Sequence, residues 1–281
     1  YENNVNNNWY TNKMASWTLS YTQEALQYVK ENHAGAYQKL VEKTRFDPGE
    51  EPKAWQDIVE NLHFPKEDKS GVFLQQDGFM DKEQRMAADL DPSQRPINQH
   101  WSWDRILRSC FIKQADVLQG VFVFEDEYDR ETMERNFDFY EPRTVHESSL
   151  SPCVHSILAA RLGRSDKAYE MYLRTSRLDL DDYNNEVHEG LHITSMGGTW
   201  MSVIYGFGGM RIGEGLLSFE PMLPENWKSL SFKILYRGRV LQVGIEKEKV
   251  GIKSLEGEGL DLYLVGSKKH LEPSGSLVAD L

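Results

Sequence analysis

Residues 151–176 read SPCVHSILAARLGRSDKAYEMYLRTS, and this stretch decides the fold class. Ser151 and Pro152 are typical of the first positions of a helix, and Gly163 is typical of the residue that ends one. Ser165 can then cap a second helix that starts almost at once. Two helices joined by so short a connection predict an architecture of paired helices.

The same helical periodicity extends over the chain up to about residue 205. One predicted helix face near the start carries the apolar residues Ala15, Leu19, Leu26 and Val29. A further helix is predicted from about Trp103 to Leu118. The chain is therefore expected to be mainly α over most of its length.

Beyond Gly206 the pattern changes from helical to strand-like. The Gly-Phe-Gly-Gly sequence at 206–209 is a flexible joint, and apolar residues then alternate with polar ones in short runs. This pattern predicts a small C-terminal antiparallel β-domain. We place the boundary so that residues 1–212 form the helical part and residues 213–281 form the β-domain.

Composition restricts the class of partner. The 281 residues include 32 Lys and Arg against 44 Asp and Glu, a net charge of −12, so nucleic acid and anionic membranes are not expected as partners. The chain has no uncharged apolar run of the roughly 18 residues that a membrane span needs. Its two cysteines, Cys110 and Cys153, stand far apart and outside any zinc motif, which fits a reducing cytoplasm.

The opening run, YENNVNNNWYTN, surrounds Glu2 with six asparagines and three aromatic rings. Asn amides supply planar donors and acceptors for sugar hydroxyls, and aromatic rings can pack on a pyranose. Glu2 is therefore a candidate catalytic carboxyl group in a sugar site. In the alternative interpretation, Glu2 is a solvated surface group and the asparagines supply caps and turns.

A second polar signal is Lys113-Gln114, within the helix predicted for residues 103–118. On such a helix each of the two falls on a stripe of apolar neighbours, so both are expected to face inward. A buried Lys needs a partner, and sugar hydroxyls can provide one. The alternative is that both side chains extend to solvent from the edge of the helix.

A third signal combines serine, histidine and glycine. Ser148 and Ser149 stand before the predicted helix at Ser151, and His192 and Gly197 follow downstream. Hydroxyls, an imidazole and glycine amides at the start of a helix can bind an anion such as phosphate. In the alternative interpretation, the serines cap the helix that contains Pro152.

The histidines His188 and His192 are four residues apart, a spacing that can bind zinc. The residues between them lack the Glu placement of a metalloprotease, and no third ligand suggests itself. We therefore predict no metal site.

Taken together, these motifs resemble the inverting disaccharide phosphorylases of glycoside hydrolase family 65. The resemblance covers nearly the whole chain, and the run from Glu2 to Trp9 is most similar to the branch that acts on maltose. It implies that Glu2 is the general acid and that Lys113 and Gln114 hold the glucosyl unit. It also implies that phosphate lies against the group of serine, histidine and glycine residues described above. That group comprises Ser148, Ser149, His192 and the Gly197-Gly198 turn.

The resemblance also implies a fold and a reaction. The fold is part of an (α/α)6 toroid followed by the β-domain, and the reaction is inverting phosphorolysis of maltose to β-D-glucose 1-phosphate and glucose. Phosphate is a substrate, and no cofactor is needed. This chain has too few helices to close the ring and opens on Tyr1 instead of methionine, so we expect a missing N-terminal part of the same protein as a partner, and a homodimer.

Three alternatives remain open. The substrate can be another α-glucosyl disaccharide, namely kojibiose, nigerose or trehalose. The same scaffold can support a hydrolase in which Glu147 or Glu189 activates water. A different class of protein, a non-catalytic carbohydrate-binding or structural fragment, would have little reason to bury Lys113 and Gln114.

Overall fold

A computed structural model describes residues 1–183, 185–213 and 215–281. The chain divides into two compact units. The first comprises Tyr1–Gln84 with Leu107–Cys110, and the second comprises Arg85–Ile106 with Phe111–Leu281.

Helices occupy most of the chain before residue 210. In the described residues they are α1 (Trp9–Asn32), α2 (Ala34–Thr44), α3 (Glu51–Asn61), α4 (Ile97–His100), α5 (Trp103–Leu107), α6 (Val117–Val123), α7 (Arg130–Tyr140), α8 (Ser151–Arg161), α9 (Ser165–Ser176), α10 (Leu178–Asp181) and α11 (Ile193–Met201). Short 3-10 turns connect several of them, and α11 continues directly into a π-helical turn, Ser202–Phe207.

The first unit contains α1, α2 and α3. The longest helix, α1, begins where Asn8 Oδ1 accepts a hydrogen bond from Thr11 N at 2.8 Å, and it packs against both other helices. Among the described residues of these three helices, only Trp9 is buried. Most buried residues of this unit therefore lie outside the three helices, as do Val72, Phe79 and Cys110.

The predicted helix from Trp103 to Leu118 is wrong. The chain forms the short helices α5 and α6 there, with residues 108–116 between them outside any helix. Ser109 forms a β-bridge with Glu83 within the first unit, and Ile112 forms one with Thr144 within the second. Because these bridges use backbone groups that a helix would need, tertiary pairing overrides the helical periodicity.

The second unit contains the predicted helix pair, α8 and α9. Gly163 has a positive φ of 75°, which lets the chain turn sharply after α8. Ser156 Oγ on α8 donates a hydrogen bond to Ala168 O on α9 at 2.8 Å. Ser165 is the first residue of α9, and the capping position belongs to Arg164, so the prediction that Ser165 caps this helix is wrong.

Close packing also joins α8 to α11. A Cβ atom added at Gly198 would lie 2.9 Å from Cβ of Cys153, so any side chain there would push the two helices apart. Ser195 of α11 further shares a hydrogen bond of 3.1 Å with Thr175 of α9. Three helices are thus held against one another near the start of α11.

Eight strands follow in the described residues: β1 (Met210–Gly213), β2 (Leu216–Phe219), β3 (Ser229–Tyr236), β4 (Arg239–Glu246), β5 (Lys249–Glu256), β6 (Leu260–Leu264), β7 (Ser267–Leu271) and β8 (Ser276–Asp280). They form two four-stranded sheets, with the orders β1-β2-β6-β7 and β3-β4-β5-β8. The prediction of a mainly helical chain with a small C-terminal β region is confirmed. One detail differs: β2 and β6 are parallel, so the first sheet is mixed and not purely antiparallel.

The two sheets enclose one apolar core, which contains Leu217, Phe219, Leu241, Val243, Ile252 and Leu262. Ile204 of the π-helical turn packs into the same core. Glu125 also links the helices to the sheets, since its Oε1 lies 2.7 Å from Arg211 Nε of β1 and 3.7 Å from Arg161 Nε of α8. The β region is therefore packed onto the helices of the second unit.

None of the helices in the described residues combines the length and the apolar character needed to cross a lipid bilayer.

Candidate active site

Glu2 lies in the first unit and forms an ion pair. Its Oε1 is 2.6 Å from Lys82 Nζ, and each side chain is only 14% exposed. Lys82 Nζ also donates a hydrogen bond to Leu107 O. The proposed general acid is thus a partly buried carboxyl group with a cation in direct contact, not a solvated surface group.

Three of the asparagines after Glu2 form hydrogen bonds with other residues of the protein. Asn7 Nδ2 donates to Asp77 Oδ2 at 2.6 Å, Asn8 Nδ2 donates to Gln75 O at 3.1 Å, and Asn12 Nδ2 donates to His63 O at 2.7 Å. These bonds hold the opening run against residues 63–77 of the same unit. Asn8 also caps α1, in line with the alternative interpretation, whereas Asn7 and Asn12 bond to distant segments and cap no helix through these contacts.

Trp9 is a core residue and not a sugar platform. It is 3% exposed, stacks on Phe73 with ring centroids 4.8 Å apart, and meets Phe64 edge-on at 6.5 Å. A pyranose therefore has no exposed face of Trp9 to pack on.

Lys113 and Gln114 lie in the second unit, in the segment between α5 and α6. Lys113 is half-buried and Gln114 is exposed, so the expected inward-facing stripes on a helix are absent there. The backbone of Ile112 instead bonds to Arg143 O at 3.0 Å and to Val145 N at 2.9 Å. This bridge places Gln114 beside the serine segment, and its Oε1 accepts a hydrogen bond from Ser148 Oγ at 2.8 Å.

Ser148 and Ser149 form a short turn before α8. Ser148 Oγ accepts a hydrogen bond from Leu150 N at 3.3 Å, and Ser149 is half-buried. The capping position of α8 is Leu150, and no side chain caps the helix there. Ser151 Oγ shares a hydrogen bond of 2.8 Å with His146 Nδ1. The serines therefore do not cap α8 as the alternative interpretation proposed.

The turn is anchored by a buried carboxylate. Glu147, whose side chain is 1% exposed, lies 3.3 Å from Arg95 Nε and accepts a hydrogen bond from Ile97 N at 2.9 Å. The same guanidinium donates to Val145 O. Charge-assisted contacts thus fix the residues immediately before Ser148.

A second guanidinium supports the same turn. Arg174 Nη2 of α9 donates to His146 O at 3.0 Å, where the backbone has a positive φ of 55°. Burial, together with the nearby charge of Arg95, lowers the pKa of Arg174. Two arginines therefore contact the segment that carries the serines. Because the charge of Arg95 is balanced by the Glu147 carboxylate, Arg174 is the one that adds positive charge there, which favours an anion.

His192 stands at the start of α11 and is held by Asp179. Its Nδ1 lies 2.6 Å from Asp179 Oδ1, and its backbone N donates to Oδ2 at 2.9 Å. These hydrogen bonds lower the pKa of the Asp179 carboxyl group. Glu186 Oε2 lies 4.0 Å from His192 Nε2, so this carboxylate would have to move before an anion could reach that nitrogen.

Gly197 lies within α11 and is exposed, so the expected Gly197-Gly198 turn is wrong. Gly198 is required for the close packing of α11 on α8 described above. Across residues 1–183, 185–213 and 215–281, no group of three or more His, Cys, Asp or Glu side chains is arranged to hold a metal ion.

The domain models of one family match the chain in order. The model described as "Glycosyl hydrolase family 65 central catalytic domain" matches residues 1–201, and the model of the family's C-terminal domain matches residues 210–271. The chain belongs to glycoside hydrolase family 65.

Similar proteins of family 65 are named as phosphorylases of different disaccharides. The chain is 49% identical to a maltose phosphorylase of Bacillus subtilis over 93% of its length, and 40% identical to an α,α-trehalose phosphorylase of Thermoanaerobacter brockii over 95%. A solved structure described as "Putative kojibiose phosphorylase from human microbiome" covers 99% of the chain with a TM-score of 0.89 and 34% identity. The chain spans about a third of these proteins: 34% of each relative and 36% of the solved structure.

Three charged residues that contact the candidate residues or their neighbours escaped the sequence analysis: Lys82, Arg95 and Arg174. Each contacts a residue that is distant in the chain, and each is a single charged residue without a motif of its own. Arg95 stands next to Pro96, and Arg174 lies within the predictable helix α9. Neither residue has a neighbouring sequence pattern that distinguishes it from an ordinary surface arginine.

A buried pair of imidazoles lies behind the serine turn. The rings of His146 and His155 are 4.5 Å apart, and within the described part of the chain neither ring nitrogen of His155 has a hydrogen-bond partner. Burial lowers the pKa of His155 to about 3, and it lowers the pKa of His146 well below the usual value. Both rings are therefore neutral in the folded chain near pH 7.

Because of these two histidines, we expect the free energy of unfolding to decrease at acid pH. Below about pH 6.5 an unfolded His155 binds a proton that the folded chain excludes, so the free energy of unfolding should fall by up to about 1.4 kcal/mol per pH unit until about pH 3. Urea unfolding at pH 7.5 and pH 5 tests this in His155→Leu, which should lose less stability on acidification than the parent. The exposed His100→Leu is the control, and an equal loss in all three proteins would contradict the prediction.

Proposed function

We propose that the protein containing this chain is a disaccharide phosphorylase that transfers a glucosyl unit to inorganic phosphate. The observation that carries the proposal is the 2.8 Å hydrogen bond between Gln114 and Ser148. It joins the residue proposed to hold the glucosyl unit to a residue proposed to hold phosphate. A phosphorylase needs these two ligands side by side, because phosphate must attack the anomeric carbon of the bound sugar.

The proposed mechanism has one protein acid and one nucleophile from solution. Glu2 donates its proton to the glycosidic oxygen while a phosphate oxygen attacks C1 from the opposite face. The C1–O bond to the leaving sugar breaks, and the products are β-D-glucose 1-phosphate and free glucose. Because phosphate is itself an anionic nucleophile, this inverting reaction does not need the second carboxylate that an inverting hydrolase uses to activate water.

The environment of Glu147 favours phosphorolysis over hydrolysis. A base that activates water must have a free carboxylate oxygen within reach of that water. Both oxygens of Glu147 are engaged, one by Arg95 and the other by Ile97 N, and the side chain is 1% exposed. Glu189, the other candidate base, is exposed on a 3-10 turn.

We propose maltose as the disaccharide, supported by the 49% identity to a maltose phosphorylase. The 40% identity to a trehalose phosphorylase and the 34% identity to a kojibiose phosphorylase keep those disaccharides as alternatives. The test is the reverse reaction with β-D-glucose 1-phosphate and glucose, followed by identification of the linkage formed. A product other than the α-1,4 disaccharide would overturn maltose, and cleavage of maltose without phosphate would overturn phosphorolysis.

The residues proposed to bind phosphate lead to a separate prediction. In the complete enzyme, Ser149→Ala and His192→Ala should raise the KM for phosphate about tenfold, since each removes a hydrogen bond to a charged ligand. Initial rates at varied phosphate and saturating maltose measure the effect. Matched controls are the exposed Ser276→Ala and His100→Ala. Unchanged phosphate dependence in both site variants would remove these residues from the phosphate site.

We also propose that the chain divides into a helical domain, residues 1–212, and a β-domain, residues 213–281. The two family models, which match residues 1–201 and 210–271, support a division in this region, and β1 (Met210–Gly213) crosses the proposed boundary. The remaining part of the same protein and a second copy of it are the proposed partners. Light scattering on the complete protein tests the homodimer.

A further inference from the structure

A continuous apolar surface on the second unit takes no part in the mechanism proposed so far. It consists of one exposed face of α11 and a groove beside that face, and we call it the α11 surface: Ile193, Met196, Trp200, Ile212 and Leu235. We propose that the α11 surface is the docking site for the part of the same protein that lies outside this chain. The segment that fills it has mainly apolar side chains.

Helix α11 has two faces with different surroundings. On one face Ser195 and Gly198 are buried, where they pack on α9 and α8. On the opposite face Ile193, Met196 and Trp200 follow one another at spacings of three and four residues, and all three are exposed. An apolar stripe at this spacing is typical of a helix face that packs on another element. Because α11 already packs through its first face, the second apolar face indicates a helix with neighbours on both sides.

The groove continues this apolar face onto the β region. Trp200 lines it together with Ile212 of β1 and Leu235 of β3, and its volume is about 310 Å³. Each of these three side chains is more than half exposed. Among the described residues that line the groove, Lys233 is the one charged side chain. A polar segment would lose its hydration there without gaining enough hydrogen bonds, so the occupant needs mainly apolar side chains.

The length of similar proteins indicates what this occupant is. The chain spans 34% of the maltose and trehalose phosphorylases and 36% of the solved structure, so about two-thirds of such a protein lies outside it. Residues in the same molecule meet the α11 surface at a much higher effective concentration than a separate partner does. A contiguous apolar patch on a soluble protein marks an interaction site. The inference rests on the proposed remaining part of the protein and not on the chemistry of phosphate or sugar.

The first test measures how accessible the groove is in the complete protein. Leu235→Cys is compared with Val278→Cys, since Leu235 is 75% exposed in this chain and Val278 on β8 is 65% exposed. Each thiol is labelled with a maleimide, and mass spectrometry of the digested protein follows the labelled peptide. We expect the thiol at position 235 to react at least about a hundredfold more slowly than in urea-unfolded protein, and the thiol at position 278 to react within about tenfold of its unfolded rate.

The second test identifies what covers the surface. Benzoylphenylalanine in place of Trp200, an aromatic residue of similar size, bonds covalently to a contacting C–H group when the complete protein is irradiated. We expect an internal cross-link to a peptide outside residues 1–281, with the mass of a single chain on a denaturing gel. A cross-linked product of two chains would assign the surface to a second copy of the protein and overturn the inference.

Rapid labelling at position 235, close to the unfolded rate, would show that the α11 surface is open and would also overturn the inference. If the substitution of Trp200 prevents folding, benzoylphenylalanine in place of Met196, on the same face of α11, provides the same measurement. Neither test depends on catalysis. The proposed function fails through a different result, cleavage of maltose without phosphate, so the two failures are distinguishable.

Discussion

Glu2→Gln in the complete enzyme is expected to lower kcat for phosphorolysis of maltose by about a hundred- to ten-thousandfold. Glutamine preserves the size of the side chain and its hydrogen-bonding oxygen, but it has no proton of suitable acidity to give to the leaving sugar. A positioned general acid contributes a factor of this size. The measurement is the initial rate of glucose release at saturating maltose and phosphate, with the KM for phosphate expected to stay near its parental value.

The design needs a control for the loss of a negative charge from the same unit. Glu24→Gln serves, since Glu24 is an exposed residue of α1, and its rate should match that of the parent. Near-normal turnover in Glu2→Gln would remove Glu2 from the role of acid. A large rise in the KM for phosphate with unchanged kcat would instead indicate that Glu2 affects binding and not proton transfer.

The helix pair α8 and α9 could be predicted because its signals are local. Pro152 at the start, Gly163 at the end and a short connection act within a few residues, so no distant contact is needed to interpret them. The β region was predictable for the same reason, since alternation of apolar and polar residues reports which face of a strand is buried. The parallel pairing of β2 with β6 depends on which strands become neighbours, and alternation carries no information on that.

The segment from Trp103 to Leu118 shows where local signals fail. Its apolar spacing suits a helix, yet Ser109 and Ile112 pair with residues from other parts of the chain. This difference affects the candidate site, because a helix over residues 103–118 predicts that Lys113 and Gln114 face inward. Gln114 is exposed instead and reaches Ser148. Because Gln114 is exposed and Lys113 is only half-buried, these two residues do not distinguish an enzyme from a structural module.

The sequence predicts which types of residue belong to the candidate site, but it does not predict which of them contact each other. Ser148 is a candidate because of the serine, histidine and glycine residues of its motif, and its hydroxyl group donates a hydrogen bond to Gln114. The supporting ion pairs were not predictable, because Arg95 is 52 residues from Glu147 and Lys82 lies far along the chain from Glu2. A single charged residue gives no sequence signal of its partner when the two meet only through tertiary folding.

The largest expected change in stability is that of Glu147→Ala. The substitution leaves Arg95 without the carboxylate that lies 3.3 Å from its Nε, and it leaves the buried N–H of Ile97 without its acceptor. Removing one partner of a buried ion pair costs about 3–5 kcal/mol, and we expect about 3 because Arg95 is a third exposed. Urea unfolding at pH 7.5 measures this difference in the free energy of unfolding.

The chain offers a matched control for that experiment. Glu131 also pairs with an arginine, Arg135 at 3.7 Å, but its side chain is 87% exposed, so Glu131→Ala should change the free energy of unfolding by less than about 1 kcal/mol. Equal effects of Glu131→Ala and Glu147→Ala would contradict the idea that burial makes the second pair important.

A double variant separates stability from the proposed phosphate site. Replacing both members of a buried ion pair with apolar residues is often neutral for stability, since neither charge is then left unpaired. Arg95→Met with Glu147→Met should therefore be more stable than Glu147→Ala. It should still raise the KM for phosphate, because the segment before Ser148 loses its anchor and one of its two guanidinium groups. If phosphate affinity recovered together with stability, this ion pair would support the fold without positioning the serines.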